Sequence, residues 1–285
     1  MLKQRIVTAV VSGSLLIASV WFDHPIHWLT VFLVAWGSVA ALEFYRLVKK
    51  GTNLQPLLYL GTIWTALLIM SRDSAISDAV QPYAVTSEIP MLLLTAGIVI
   101  TLIWVLRHHP ISQAFASWVW TIAGIAYIGI LLGYLIALRG VADGRNWVYF
   151  ALLATFASDT TAFFVGRAVG RHKLAPSISP SKTWEGAIAG MVGAMAVSLI
   201  FLPDTLFSGA NPLHIAGLSH VSSIILGLTV SAFGQLGDLA ESLFKRNTGA
   251  KDSGHLLPGH GGALDRLDSV VFAGVVVYYF VWLMR

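Results

Sequence analysis

A chain of 285 residues that is 56% hydrophobic and only 11% charged, with a mean hydropathy of +0.75, cannot cover itself with polar surface as a soluble domain does. Its net charge of +4 and pI near 9.4 need no nucleic acid to explain them, because basic loops facing anionic lipid headgroups produce the same balance. With no cysteine, disulfides and thiolate metal sites are excluded.

The apolar residues arrive in blocks of about the 17 to 25 residues that a helix needs to cross about 30 Å of hydrocarbon. In chain order these blocks are 5–22, 27–47, 56–71, 89–107, 117–138, 147–165, 186–202, 215–236 and 269–284. The first has Lys3 and Arg5 ahead of its apolar run, as a secretory signal does. It leads into Trp21-Phe22-Asp23-His24-Pro25 without a small-residue cleavage pattern, and is read as a retained helix. The third and seventh blocks are short for a full crossing, and the eighth carries Gly234 and Gly237, so a tilted, broken or re-entrant path is open there.

The expected fold is therefore all-α: a polytopic integral membrane protein of about nine transmembrane helices, forming a single membrane domain over 1–285. Within it we distinguish N-terminal helices in 1–110, a middle helix region in 111–145 and C-terminal catalytic helices in 146–285. Lys and Arg orient it, since they collect in loops that stay cytoplasmic. Only Arg72, Arg139, Arg145 and Arg285 of the 18 basic residues fall in one alternate set of loops, which places the N-terminus inside and the C-terminus outside. Trp21, Trp28, Trp118 and Trp147 read as aromatic belts, and His24, His27, His214 and His220 as interface anchors on the outer side.

Two cytoplasmic segments, 157–186 and 237–269, hold most of the remaining carboxylates and bases. In the second, Asp238, Glu241, Ser242 and Lys245 recur at helical spacings of three and four, which aligns them on one face. The stretch then breaks through Gly249, Gly254, Pro258, Gly259, Gly261 and Gly262, residues that let backbone N–H groups approach an anion. Helix resumes near Leu264, with Asp265 and Asp268 three apart. Carboxylates beside Lys and Arg suit a phosphate substrate carried with Mg²⁺, which takes a few carboxylate oxygens, phosphate oxygens and water. Ionisable groups at a membrane edge are costly enough to be functional by default, and Asp159, inside the sixth block, is the clearest case. His260, between glycines and near Asp265, is a candidate for phosphate contact or acid–base help, against simple packing.

The second segment resembles the signature of the phosphatidate cytidylyltransferases, also called CDP-diacylglycerol synthases. Ser242, Lys245-Arg246, Lys251-Asp252, Gly254, Pro258, His260-Gly261-Gly262 and Asp265-Arg266-x-Asp268 carry the resemblance. The first segment is similar to the family's other block through Asp159, Gly166-Arg167, Gly170, Pro176, Ser179-Pro180 and Lys182-Thr183-Trp184-Glu185-Gly186. Ala263 stands where a larger aliphatic is usual and Ser181 where Lys is frequent, and neither removes a charge from the cluster.

The resemblance implies transfer of a cytidylyl group from CTP to phosphatidic acid, giving CDP-diacylglycerol and pyrophosphate. It implies Asp238 and Asp265 as metal ligands and Asp268 and Asp159 as further ligands or water-mediated supports, with Asp238, Asp265, Asp268 and Lys245 as the catalytic set. Lys245, Arg246 and Lys251 would hold phosphates. Ser179, Lys182 and Thr183 would hold the CTP triphosphate or the lipid headgroup, and Ser242, Asp252, His260 and Arg266 complete the substrate-binding set. The cofactor expected is Mg²⁺, with a second and conceivably monovalent metal ion. The partners expected are CTP, phosphatidic acid and membrane lipids, with a homodimer and no nucleic acid. The location expected is a bacterial inner membrane with a cytoplasmic active site. The rival readings are a CTP-dependent polyprenol or phytol kinase, an ether-lipid cytidylyltransferase, and, from another class, a cation-coupled transporter.

Overall fold

The computed structural model describes residues 2–22, 26–80, 88–203, 211–254 and 261–284. Helices cover all nine apolar blocks: α1 (Leu2–Trp21), α2 (Trp28–Thr52), α3 (Leu58–Met70), α5 (Ile89–His108), α6 and α7 (Ile111–Gly124 and Leu131–Arg139), α8 (Gly144–Val169), α9 (Trp184–Ser198), α10 (His220–Asn247) and α11 (Asp268–Leu283). A short α4 (Ser74–Val80) follows α3. Among the described residues, six helical stretches are long and apolar enough to cross a membrane. The chain is thus a largely helical integral membrane protein. Gly234 and Gly237 do not break α10, which runs unbroken from His220 to Asn247.

The backbone packs as two compact units, one formed by residues 1–140 with 245–266 and the other by 141–244 with 267–285. In the first, Tyr45, Leu29, Leu33, Ile69, Ile128 and Leu132 are almost fully buried. A six-residue π-helical turn, Ile125–Ile130, joins α6 to α7. Gly61 and Gly124 leave room for the Tyr45 ring, and its hydroxyl donates to the Thr121 carbonyl at 3.0 Å. Neither the π turn nor this inserted tyrosine has a signature in block length.

At the start of α2, His27 meets a buried acid. Its Nδ1 lies 2.6 Å from Asp73 Oδ1, Thr30 Oγ1 donates to Asp73 Oδ2, and the Ala75 N–H donates to Oδ1 at 2.9 Å. With Ser74 and Arg139 these side chains line a cavity of about 100 Å³. Asp73 is only 3% exposed, so Asp73→Ala takes the acceptor from the buried Thr30 hydroxyl and from the partly buried His27 ring. It is expected to destabilise the protein by about 1–3 kcal/mol, read as a lower thermal midpoint in detergent.

In the second unit, small residues set the packing of α9 on α8. The face of α9 at Gly190 and Gly193 lies against Ser158 and Thr161, and a methyl group at either glycine would collide with them. Ser158 and Ser231 of α10 are joined by a 2.7 Å hydrogen bond between hydroxyls. The run Gly186–Ala196 therefore serves packing within one chain, as small-residue stripes do between membrane helices. Between α8 and α9 the chain forms an antiparallel hairpin of β1 (Lys173–Ala175) and β2 (Ser179–Thr183). This is a departure from the all-helical expectation.

Candidate active site

In the first unit, α10 ends where Gly249 adopts a left-handed φ of +67°. The Gly249 and Ala250 N–H groups donate back to Arg246 and Lys245 carbonyls at 3.1 and 2.9 Å. This is the helix stop that glycine favours, and it leaves Lys245 in the last turn. The chain returns at Gly261 and Gly262, then forms a 3₁₀ turn, Leu264–Arg266, that presents Asp265.

Asp265 is the hub of this unit's cluster. Its Oδ1 accepts from Lys245 Nζ at 2.8 Å, while Oδ2 accepts from the Ser253 N–H at 2.9 Å, Ser253 Oγ at 2.9 Å and the Gly262 N–H at 2.8 Å. This carboxylate is only 8% exposed and accepts from an ammonium and three further donors, which fixes its position. Gly261, at φ +82°, has no room for a Cβ, which would lie 2.5 Å from Asp265 Oδ2. The glycines at this turn thus serve the close approach of backbone to a carboxylate.

Sequence reasoning missed Glu43. This acid of α2 is 6% exposed, and its Oε2 accepts from the Leu264 N–H at 3.1 Å and from Ser253 Oγ at 3.3 Å. A Cβ at Gly254 or Gly262 would collide with the Glu43 carboxylate. The available signal was a lone acid in the otherwise apolar part of block 27–47. Ser253, between the two carboxylates, was missed as well.

In the second unit, Lys182 on β2 reaches Asp238 Oδ2 at 2.6 Å, and Ser242 Oγ donates to Asp238 Oδ1 at 3.4 Å. The hairpin explains the reach: strand pairing turns the chain back toward α9, and Thr183 caps that helix by accepting the Gly186 N–H at 3.2 Å. Thr183 is buried, with its hydroxyl engaged in the cap, while Ser179 at the head of β2 is half-buried. Glu185 ties off the hairpin base, its carboxylate 2.6 Å from His172 Nδ1.

The remaining expected residues are placed as follows. Asp159 is exposed on α8, and Asp268 opens α11, where an acid complements the positive helix end. Arg246, Lys251, Asp252 and Arg266 are exposed. Glu241 shares the helix face of Asp238, Ser242 and Lys245 but is 1% exposed, while those three are half-buried. His260 lies outside the described residues. Among the described residues no three His, Asp or Glu side chains converge within reach of one metal ion.

What the structure brings together, then, is two lysine–aspartate pairs, Lys245–Asp265 and Lys182–Asp238, each on a helix end or hairpin rich in hydrogen-bond donors. Each suits an anionic substrate that exchanges a carboxylate for phosphate oxygens on an ammonium.

Residues 3–284 match the model of the cytidylyltransferase family. The chain is similar to the phosphatidate cytidylyltransferase of Bacillus subtilis (strain 168), 33% identical over 281 residues that cover 98% of this chain and 97% of that protein. It is likewise similar to the phosphatidate cytidylyltransferase of Brucella abortus (strain 2308), 34% identical over 98% of this chain and 93% of the relative. The phosphatidate cytidylyltransferase of Haemophilus influenzae is 31% identical over 98% of both chains.

Proposed function

The chain belongs to the cytidylyltransferase family, and from that premise we propose that it transfers the cytidylyl group of CTP to phosphatidic acid, giving CDP-diacylglycerol and pyrophosphate for phospholipid synthesis. The observation that carries this reading is the near full-length likeness to phosphatidate cytidylyltransferases, which includes both polar segments. The site belongs at the cytoplasmic face of a bacterial inner membrane, in a homodimer of chains that cross nine times with the N-terminus inside. The asymmetry of Lys and Arg supports that orientation.

In the reaction, a phosphate oxygen of phosphatidic acid attacks the α-phosphorus of CTP in line. The new P–O bond forms as the bond from the α-phosphorus to the bridging oxygen breaks, and the electron pair leaves with pyrophosphate. Lys245, Arg246 and Lys251 bind phosphate oxygens and offset the charge on the leaving group. Lys182 and Ser179 hold the triphosphate or the lipid headgroup, with the Thr183 cap keeping β2 in register with α9. Ser242, Asp252, Arg266 and His260 complete the binding set.

The donor set fits Mg²⁺. It is all oxygen, Mg²⁺ is held by one or two carboxylates with substrate phosphates and water, and Asp238 and Asp265 each already accept a full positive charge at 2.6 and 2.8 Å. Asp238 and Asp265 would each serve as a direct metal ligand, with Asp268 and Asp159 as further ligands or water-mediated supports. Bound there, Mg²⁺ would neutralise charge on the phosphates.

Pyrophosphate release by the purified protein with CTP, phosphatidic acid and Mg²⁺, each omitted in turn, tests the reading. Release that needs all three supports it. CDP release with a polyprenol selects the kinase instead, and cation flux without CTP selects the transporter. Lys182→Ala, which removes one ammonium and frees Asp238, is expected to lower kcat/KM about 10-fold, the weight of one charged hydrogen bond. Initial rates over a CTP series and a phosphatidic acid series show which substrate Lys182 serves.

A further inference from the structure

The glycine-rich return between α10 and α11 is held at several levels by one helix. Trp36 Nε1 of α2 donates to the Ala263 carbonyl at 3.1 Å, Glu43 accepts from Leu264 and Ser253, and Gly51 admits the Thr248 backbone so closely that a methyl group there would collide with it. These contacts all lie within the first unit. Thr248, Ser253, Ala263 and Leu264 are therefore each held against α2, and Glu43 is the acidic side chain of α2 that meets two of them.

Burial makes that acid hard to explain as a surface group. A carboxylate 6% exposed on a helix otherwise suited to hydrocarbon is retained only if donors repay its desolvation. The donors here belong to the same residues that hold Asp265: Ser253 lies between the two carboxylates, and Leu264 immediately precedes Asp265. The Ser253 hydroxyl has one hydrogen and two carboxylates to serve. Its 2.9 Å distance to Asp265 against 3.3 Å to Glu43 assigns that hydrogen mainly to Asp265.

We infer that Glu43 is a positioning residue for the cytidylyl-transfer site: it ties the Ser253 hydroxyl to the Leu264 N–H so that Asp265 stands at Lys245, and it dictates glycine at 254 and 262. The inference rests on the proposed activity only for its kinetic arm. Glu43 touches no substrate; it acts through Ser253, Leu264 and thus Asp265. A gap left by its removal would loosen the turn rather than delete a reacting group, and supporting residues of this kind are worth about 10- to 100-fold in activity.

Two measurements on the full chain test this. Hydrogen exchange in detergent, without substrate, reads the amides of Ser253, Gly262 and Leu264. In Glu43→Ala they are expected to exchange faster while amides of α5 and α8 stay as in wild type. The kinetic arm expects kcat to fall about 10- to 100-fold in Glu43→Ala. Glu43→Gln, which keeps the shape and one acceptor, should recover most of that rate and protection. Ser253→Ala, which leaves Glu43 in place, should give a partial loss of both if Glu43→Ala does not fold. Unchanged exchange at these amides in Glu43→Ala overturns the clamp. So does a Glu43→Gln variant as slow as Glu43→Ala with its amides still protected, since that would make the charge itself the working part. If wild type shows no cytidylyl transfer, the exchange arm still stands or falls on its own.

Discussion

Asp265→Asn yields a folded protein in which CDP-diacylglycerol formation is about 10²- to 10³-fold slower, the range seen when one fixed electrostatic partner is removed from a reaction centre. The amide is nearly isosteric, and its oxygen can still accept from the Ser253 and Gly262 N–H groups that Asp265 Oδ2 holds at 2.9 and 2.8 Å. What it cannot do is face Lys245. The amide nitrogen would confront the ammonium that now lies 2.8 Å from Oδ1, a donor against a donor in a site where both side chains are at least 85% shielded. It also replaces an anionic ligand for a hard cation by a neutral one. The measurement is CDP-lipid formation against Mg²⁺ concentration, beside a thermal midpoint. An unaltered midpoint with a lost rate separates chemistry from folding, whereas near-normal rate and Mg²⁺ dependence would remove Asp265 from the reaction.

The helices were legible in the sequence because a membrane span is a matter of block length, and all nine blocks are helical in the structure. Their ends were less so. α2 runs on to Thr52, α8 to Val169 and α10 to Asn247, each continuing past its apolar block into polar residues. Helix there is sustained by packing and caps, which hydropathy does not register. The hairpin β1–β2 escaped for a related reason: Ser179-Pro-Ser-Lys-Thr183 has no alternating pattern, and its three- and five-residue strands are held by each other and by the start of α9.

At the candidate site, spacing alone put Asp238, Ser242 and Lys245 on one helix and Asp265 at a renewed turn, and the structure has them so. The partners of those residues were not legible. Lys182 meets Asp238 across 56 positions of sequence and Glu43 meets Leu264 across 221, contacts that depend on tertiary packing with no local pattern. Glu43 was also hidden by its neighbours, since an acid shortly before Arg46, Lys49 and Lys50 looks like part of a charged helix end.

Gly262→Ala is expected to damage both stability and turnover, because it places a methyl group where two fixed oxygens already stand. The Cβ would collide with Ser253 Oγ and the Glu43 carboxylate. Side-chain ends usually yield at small expense, but these two are tied down: Ser253 Oγ donates to Asp265, and Glu43 accepts from Leu264. Relief therefore requires breaking one of those bonds or shifting the turn that carries Asp265. Overpacking of this kind destabilises by about 1–3 kcal/mol, and the displaced turn should slow turnover by about 10- to 100-fold. A double variant with Glu43→Ala supplies the check. If the methyl group and the Glu43 carboxylate compete for the same space, removing the carboxylate relieves part of the strain, and the double variant is more stable than the two single losses added together. Strict additivity would mean that the methyl group is accommodated elsewhere, and that Glu43 does not set the glycine at 262.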